Sequence, residues 1–210
     1  MTELPALIAA FTTLFIIIDP PGLAPLFVAL TQGMDKAQRR TIALRACLIA
    51  MGLMMSFLIL GEALLGFVGI SMPAFKIAGG VMLFLTALEM LFQRRQARRE
   101  DNATEGAAEH TDDPSVFPLA LPLICGPGAI TTIILLASQA DNTLDFVMIT
   151  LVLFAVLVCV FFAFLMSTGL ERLLGKTGIN ILTRLLGMLL AALAIQFILD
   201  GVAQSFGIAS

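Results

Sequence analysis

Apolar positions fill this chain in long runs, and the polar residues gather between them. Six runs stand out, at 4–31, 44–69, 74–93, 116–138, 144–169 and 182–206. Each meets or passes the roughly 20 apolar residues that a helix needs to cross the hydrocarbon core of a bilayer. The fifth is the cleanest, with no charge between Phe146 and Leu170. The pattern predicts an all-α membrane protein of six transmembrane helices. Composition agrees, at 59% hydrophobic and 13% charged with a mean hydropathy of +1.01. A soluble domain has roughly 45–50% apolar and about 25% charged residues.

Two of the runs are interrupted near their middles. Asp19-Pro20-Pro21-Gly22 breaks the first, and Gly126-Pro127-Gly128 breaks the fourth. Proline removes a backbone donor and clashes with the preceding turn, while glycine allows positive φ. Both breaks fall near the bilayer midplane, where unwound backbone is tolerated only if buried in protein or lining a cavity. Matched breaks in two halves of a chain point to a transporter's substrate site.

Charge supplies direction. Six crossings put Lys36, Arg39, Arg40, Arg45, Arg94, Arg95, Arg98, Arg99, Arg172, Lys176 and Arg184 on one side, leaving only Lys76 opposite. The positive-inside rule then places both termini outside the cytoplasm. A re-entrant first or fourth segment would scatter those cations over both faces. Acidic Glu3 stands where a signal peptide would be basic, so no cleavable leader is expected.

The one long polar stretch, RRQARREDNATEGAAEHTDDPS at 94–115, divides the chain. Its composition reads as a cytoplasmic linker, with the arginines as a stop-transfer flank ahead of a solvated acidic tract. Three spans lie on either side, in repeats at 1–93 and 116–210. Pro21-Gly22 aligns with Pro127-Gly128, and KIAGGVMLFLTALEML with RLLGMLLAALAIQFIL. An odd number of spans per half makes the second half an inverted copy of the first, the arrangement used for alternating access.

The breaks also carry chemistry. Half-helices starting near Leu23 and after Gly128, the latter bearing Thr131 and Thr132, present free N–H groups and positive dipole ends that suit a carboxylate. The carbonyls before each break and the Asp19 side chain suit an ammonium or a cation. An amino-acid zwitterion needs both, and the Gly, Pro, Ala, Thr and Cys lining, with Cys125 beside the second break, favours a small neutral side chain. Asp19 costs roughly 2.5–3.5 kcal/mol to place at a helix centre. Capping the new half-helix is an alternative or additional role for it. The asymmetry puts ammonium or proton binding at the first break and the carboxylate at the second.

Other features read more plainly. Glu62, Glu89 and Asp200 are interfacial acids, Gln196 is a polar candidate for the cavity, and the glycines at 61–69 and 79–80 permit close helix packing. Cys47, Cys125 and Cys159 are packing residues rather than a disulfide or metal set. His110, the sole histidine, is a loop residue without metal-binding partners. Gly175-Lys176-Thr177 lacks the spacing and preceding strand of a phosphate loop. No cofactor, metal or nucleic acid is implied.

The segments IIIDPPGLAPLF, FKIAGGVMLFLTALEML, PLALPLICGPGAITTI and TRLLGMLLAALAIQFILDG resemble the MarC family of six-span inner-membrane proteins, which includes neutral amino-acid transporters. The likeness covers the chain outside 94–115. It implies glycine and alanine as substrates, with proton coupling, and carries the family's motif positions to Asp19, Pro20, Gly22, Gly126, Pro127, Gly128 and Thr131. Asp19 stands where the family often has Asn, which leaves a proton and Na⁺ both open as the coupling ion. The expectation is a secondary transporter of small neutral amino acids in a bacterial-type cytoplasmic membrane. Its rivals are an exporter of another small metabolite or drug, a passive channel, and an intramembrane hydrolase using Asp19 with Asp200.

Overall fold

The computed structural model describes residues 4–95, 98–99, 113–140 and 142–207, so Glu3, His110 and most of the acidic tract lie outside it. The described residues are helical throughout, with no strands. In chain order they form α1 (Leu4–Ile18), α2 (Pro20–Leu30), α3 (Lys36–Val68), α4 (Met72–Leu91), a wide-turn segment (Ser115–Ile124), α5 (Pro127–Ala137), α6 (Thr143–Leu165) and α7 (Ser167–Ser205). Counting Leu4–Leu30 as one, five helices are long and apolar enough to cross a membrane, or six if the segment and α5 form one bent span.

Local chemistry sets the boundaries. Asp35 caps α3 in a reciprocal capping box with Gln38, and Gly69 closes that helix in the left-handed conformation at φ 81°. Ser71 caps α4 ahead of Pro73. Inside α7, Gly175 adopts φ 61° and ψ 175°, a combination open essentially to glycine, and kinks the helix before the apolar stretch from Thr177. The 170–181 connection is therefore a kinked helix rather than a loop.

The fourth hydrophobic run is more broken than Gly126-Pro127-Gly128 alone would make it. Phe117 and Leu121 are extended, near φ −126°, ψ 126° and φ −125°, ψ 128°. Each precedes a proline, and the proline ring disfavours α geometry at the residue before it. Wide i→i−5 bonds bridge the gaps, from Leu119 N to Pro114 O at 3.2 Å and Cys125 N to Ala120 O at 2.9 Å. The segment then meets α5 at a bend of 62°.

The most extensive helix pair is α4 with α7. Their contacts run antiparallel: Gly201 lies against Pro73 and Ile77, Gly80 against Ala194 and Ile198, and Gly187 against Ala87 and Met90. A Cβ built on Gly80 would stand 2.8 Å from the Ala194 carbonyl oxygen, so close backbone approach requires glycine there. Gly79 and Gly61 seat side chains of α5, Thr131 and Ile134, whereas Gly66 and Gly69 face open space. The packing role read for the glycine runs thus holds for Gly61, Gly79 and Gly80. Helices α3 and α6 also run antiparallel, with the Cys47 thiol donating to Leu157 O at 3.7 Å and Thr150 Oγ1, which donates to Phe146 O, lying 3.7 Å from Met55 Sδ. Outward-facing Ile59, Leu60, Leu64, Phe67 and Phe154 form the apolar surface that a bilayer covers.

Candidate functional site

The first break is one residue long. Asp19 takes φ 57° and ψ 63°, because Pro20 bars it from ordinary helical geometry and aspartate tolerates the left-handed region. Its carboxylate accepts from Gly22 N–H at 3.2 Å and caps α2, with Pro20 and Pro21 filling the first two helical positions. A Cβ on Gly22 would fall 2.1 Å from Asp19 Oδ2, so glycine is what lets the carboxylate lie over the helix end.

Asp19 is wholly buried, and its countercharge comes from beyond α4. Gln93, in the left-handed conformation at φ 60°, turns the chain back into the protein. Arg99 then donates to Asp19 Oδ2 at 3.1 Å and to Ile18 O at 3.0 Å. Arg95 donates to Ile17 O and to Met90 Sδ. Arg98 pairs with Glu89 at 2.9 Å. The arginines read as a stop-transfer flank are thus partly interior, with Arg95 at 8% and Arg99 at 4% exposure. The carbonyls of Ile17 and Ile18, stranded by the break, are what these guanidinium groups satisfy.

The second break opens on a cavity of about 390 Å³. Gly126, Pro127 and Gly128 line it, together with Ile17, Thr86, Glu89, Arg95, Arg98, Arg99 and Leu123. No side chain caps α5, so the amides that follow Pro127 are left to the cavity. Leu123, on the opposite side of the bend, has no i+4 donor for its carbonyl because position 127 is proline. Arg99 joins the two breaks, touching Asp19 on one side and the cavity on the other.

Not every residue read from the sequence reaches this cavity. The Cys125 thiol points to Ala50 O at 3.5 Å, and the Thr132 hydroxyl turns back to Gly128 O at 2.9 Å. Thr131 is buried with its methyl against Gly79. Asp19, Pro20, Pro21 and Gly22 form the first break but not the cavity wall. Gln196 is exposed and donates to Asp200 at 2.7 Å instead of facing inward. The sequence reading placed Arg95, Arg98 and Arg99 in a stop-transfer flank, although a midspan acid needs a cation. Glu89 was placed at the interface, and it belongs to the cavity wall. Among the described residues, no group of His, Cys, Asp and Glu side chains is arranged to hold a metal ion.

Long apolar helices around a charged cavity, with Asp19, Arg95 and Arg99 buried beside it, define an integral membrane protein that holds polar groups in its interior. A model of the MarC family, described as integral membrane proteins, matches residues 4–206. The chain is 40% identical over 200 residues to a UPF0056 membrane protein of Archaeoglobus fulgidus, covering 93% of this chain and 92% of that one. It is 34% identical over 201 residues to the UPF0056 inner membrane protein YhgN of Escherichia coli K12, covering 93% and 95%. The chain belongs to the MarC family. No solved structure matches it.

Proposed function

We propose that the chain is a secondary transporter of small neutral amino acids, glycine and alanine foremost, working by alternating access with proton or Na⁺ coupling. The carrying observation is the 390 Å³ cavity onto which the uncapped start of α5 opens beside Arg95, Arg98 and Arg99. The arginines and the free amides in its lining suit a carboxylate. Glu89, paired with Arg98, and the Leu123 carbonyl, which Pro127 deprives of its i+4 donor, suit an ammonium. Thr86, Gly126 and Gly128 leave room for a small side chain.

In this reading the chain makes six crossings in two inverted three-helix repeats, with both termini outside the cytoplasm and spans 1 and 4 broken at midmembrane. The antiparallel pairing of α4 with α7 and of α3 with α6 supports the inversion, since each pair joins corresponding members of the two halves. Asp19 acts by capping α2 and holding Arg99 at the cavity wall. The name of the Escherichia coli relative supports the inner membrane as the location. A hydrolase using Asp19 with Asp200 finds no support, because the first is committed to Arg99 and the second to Gln196.

One observation favours a second substrate class. Three arginines against Glu89 and Asp19 leave the site one positive charge in excess, which suits export of a small organic anion. Uptake of labelled alanine, glycine and acetate into proteoliposomes under imposed pH and Na⁺ gradients decides between them. Accumulation of alanine, competed by glycine but not acetate, is the expected result. Accumulation of none under any gradient discards transport, and acetate alone selects the second class.

A further inference from the structure

A second, much smaller cavity lies behind the first, bounded by Asp19, Glu89, Met90, Gln93, Arg95, Asn180 and Thr183, with a volume of about 10 Å³. That is about the space one water-sized probe needs. Two buried oxygens on residues of its wall have no hydrogen-bond partner, Glu89 Oε2 and Thr183 Oγ1. Thr183 is itself only 9% exposed. An unsatisfied buried oxygen costs about 1–3 kcal/mol, and two around one small space point to a shared occupant. Of the acids on this wall, Asp19 is paired with Arg99 and Glu89 with Arg98, so no uncompensated carboxylate calls for a metal cation and the occupant is neutral.

We infer that this cavity holds one water bonded to Glu89 Oε2 and Thr183 Oγ1, and that Glu89 is a proton-carrying residue joining the two cavities. Glu89 lines both. Its Oε1 accepts from Arg98, which reaches the larger cavity. A proton arriving at Oε2 turns the carboxylate into a neutral acid that donates to the water. Losing its charge weakens the bond to Arg98 and frees that guanidinium for a ligand's carboxylate. When the ligand leaves on the opposite side of the membrane, Arg98 returns and the proton passes from Oε2 to the bulk water of that side. The charged groups facing Glu89 are Asp19 from the first break and Arg95, Arg98 and Arg99 from the turn after α4. Helix α7 contributes the neutral Asn180 and Thr183. The coupling role rests on the transport reading, whereas the water site does not.

Two measurements separate those parts. In infrared difference spectra of the wild-type protein between neutral and acidic pH, a carboxylic acid C=O band is expected that Glu89→Gln removes and Thr183→Val shifts. A spectrum identical in all three proteins overturns the site whatever the protein transports. In proteoliposomes, the ratio of pH-driven alanine accumulation to alanine exchange at symmetric pH is expected to fall about two- to tenfold in Thr183→Val, the worth of one hydrogen bond between neutral groups. Exchange by Glu89→Gln is expected to lose its pH dependence. An unchanged ratio with an altered band keeps the water and refutes the coupling. Wild-type vesicles that neither accumulate nor exchange amino acids refute the transport reading and leave the infrared result to decide the site.

Discussion

Arg99→Met is the sharpest perturbation of the buried charge that joins the two breaks. The side chains of Arg99 and Asp19 are 5% and 1% exposed, and their bond is 3.1 Å. Methionine fills much of the same volume but leaves the carboxylate without its partner and the Ile18 carbonyl without its donor. Breaking one side of a buried pair costs about 3–5 kcal/mol, because the remaining charge stays desolvated. For a chain of this size that is roughly 6–20 °C of melting temperature. Asp19→Asn keeps an oxygen over the Gly22 amide, so it tests charge rather than the cap. Each single variant is expected to melt well below wild type in mild detergent. The double variant Asp19→Asn/Arg99→Met should recover part of the loss, with a coupling of about 0.5–3 kcal/mol. Additive losses, or a single variant within about 1 kcal/mol of wild type, would refute the buried pair.

Three further outcomes follow from the same geometry. Gly80→Ala is expected to destabilise by several kcal/mol because its Cβ meets backbone of α7 at 2.8 Å, while Gly66→Ala, in open space, gains up to about 1 kcal/mol of helix propensity; thermal melts of both check this. Gly128→Ala meets Leu83 and Thr86 at 3.5 and 3.8 Å, so its melting temperature stays near wild type while Gly128→Val, which projects further into the cavity, cuts alanine uptake at least about tenfold. Hydrogen bonding from Ser115, with help from Arg45, holds the Asp113 carboxyl below the ordinary carboxylate range. Its contribution is present above the unfolded value and lost as pH falls through the folded one. Asp113→Asn should therefore flatten part of the stability loss below about pH 4, with under about 1 kcal/mol of effect at neutral pH because the pair is exposed.

The hydrophobic runs and the two interruptions were legible because both are written in local sequence. Apolar length sets the helices, and proline and glycine mark where they stop. The same local rule was available for Pro118 and Pro122, yet those prolines were read through as helix, and the segment before α5 proved extended at Phe117 and Leu121. What local sequence does not hold is the return of the chain at Gln93. A run of arginines after an apolar helix has the composition of a solvated flank. Only the unsatisfied carbonyls of Ile17 and Ile18 and the charge of Asp19, brought near by packing, draw Arg95 and Arg99 inward. Glu89 follows the same logic, since its place between two cavities depends on residues from α4, α5, α7 and the turn. Thr131 and Thr132 adjoin the second break, but the helix phase after Pro127 aims them into packing, and Cys125, ahead of the bend, turns its thiol to Ala50 O.

Thiol accessibility at Thr86 tests the central claim most directly, that the cavity beside α5 is the substrate site. Thr86 lines that cavity and its hydroxyl donates to Met82 O, so Thr86→Cys places a reporter on the wall. Cys47, Cys125 and Cys159 are first replaced by alanine to clear the background. Saturating alanine is predicted to slow labelling of Thr86→Cys by a membrane-permeant thiol reagent at least about tenfold, as expected of a site that buries most of its ligand. A Leu64→Cys control on the outer surface should be unaffected. Equal labelling of Thr86→Cys with and without alanine, in vesicles that still accumulate it, would place the substrate elsewhere.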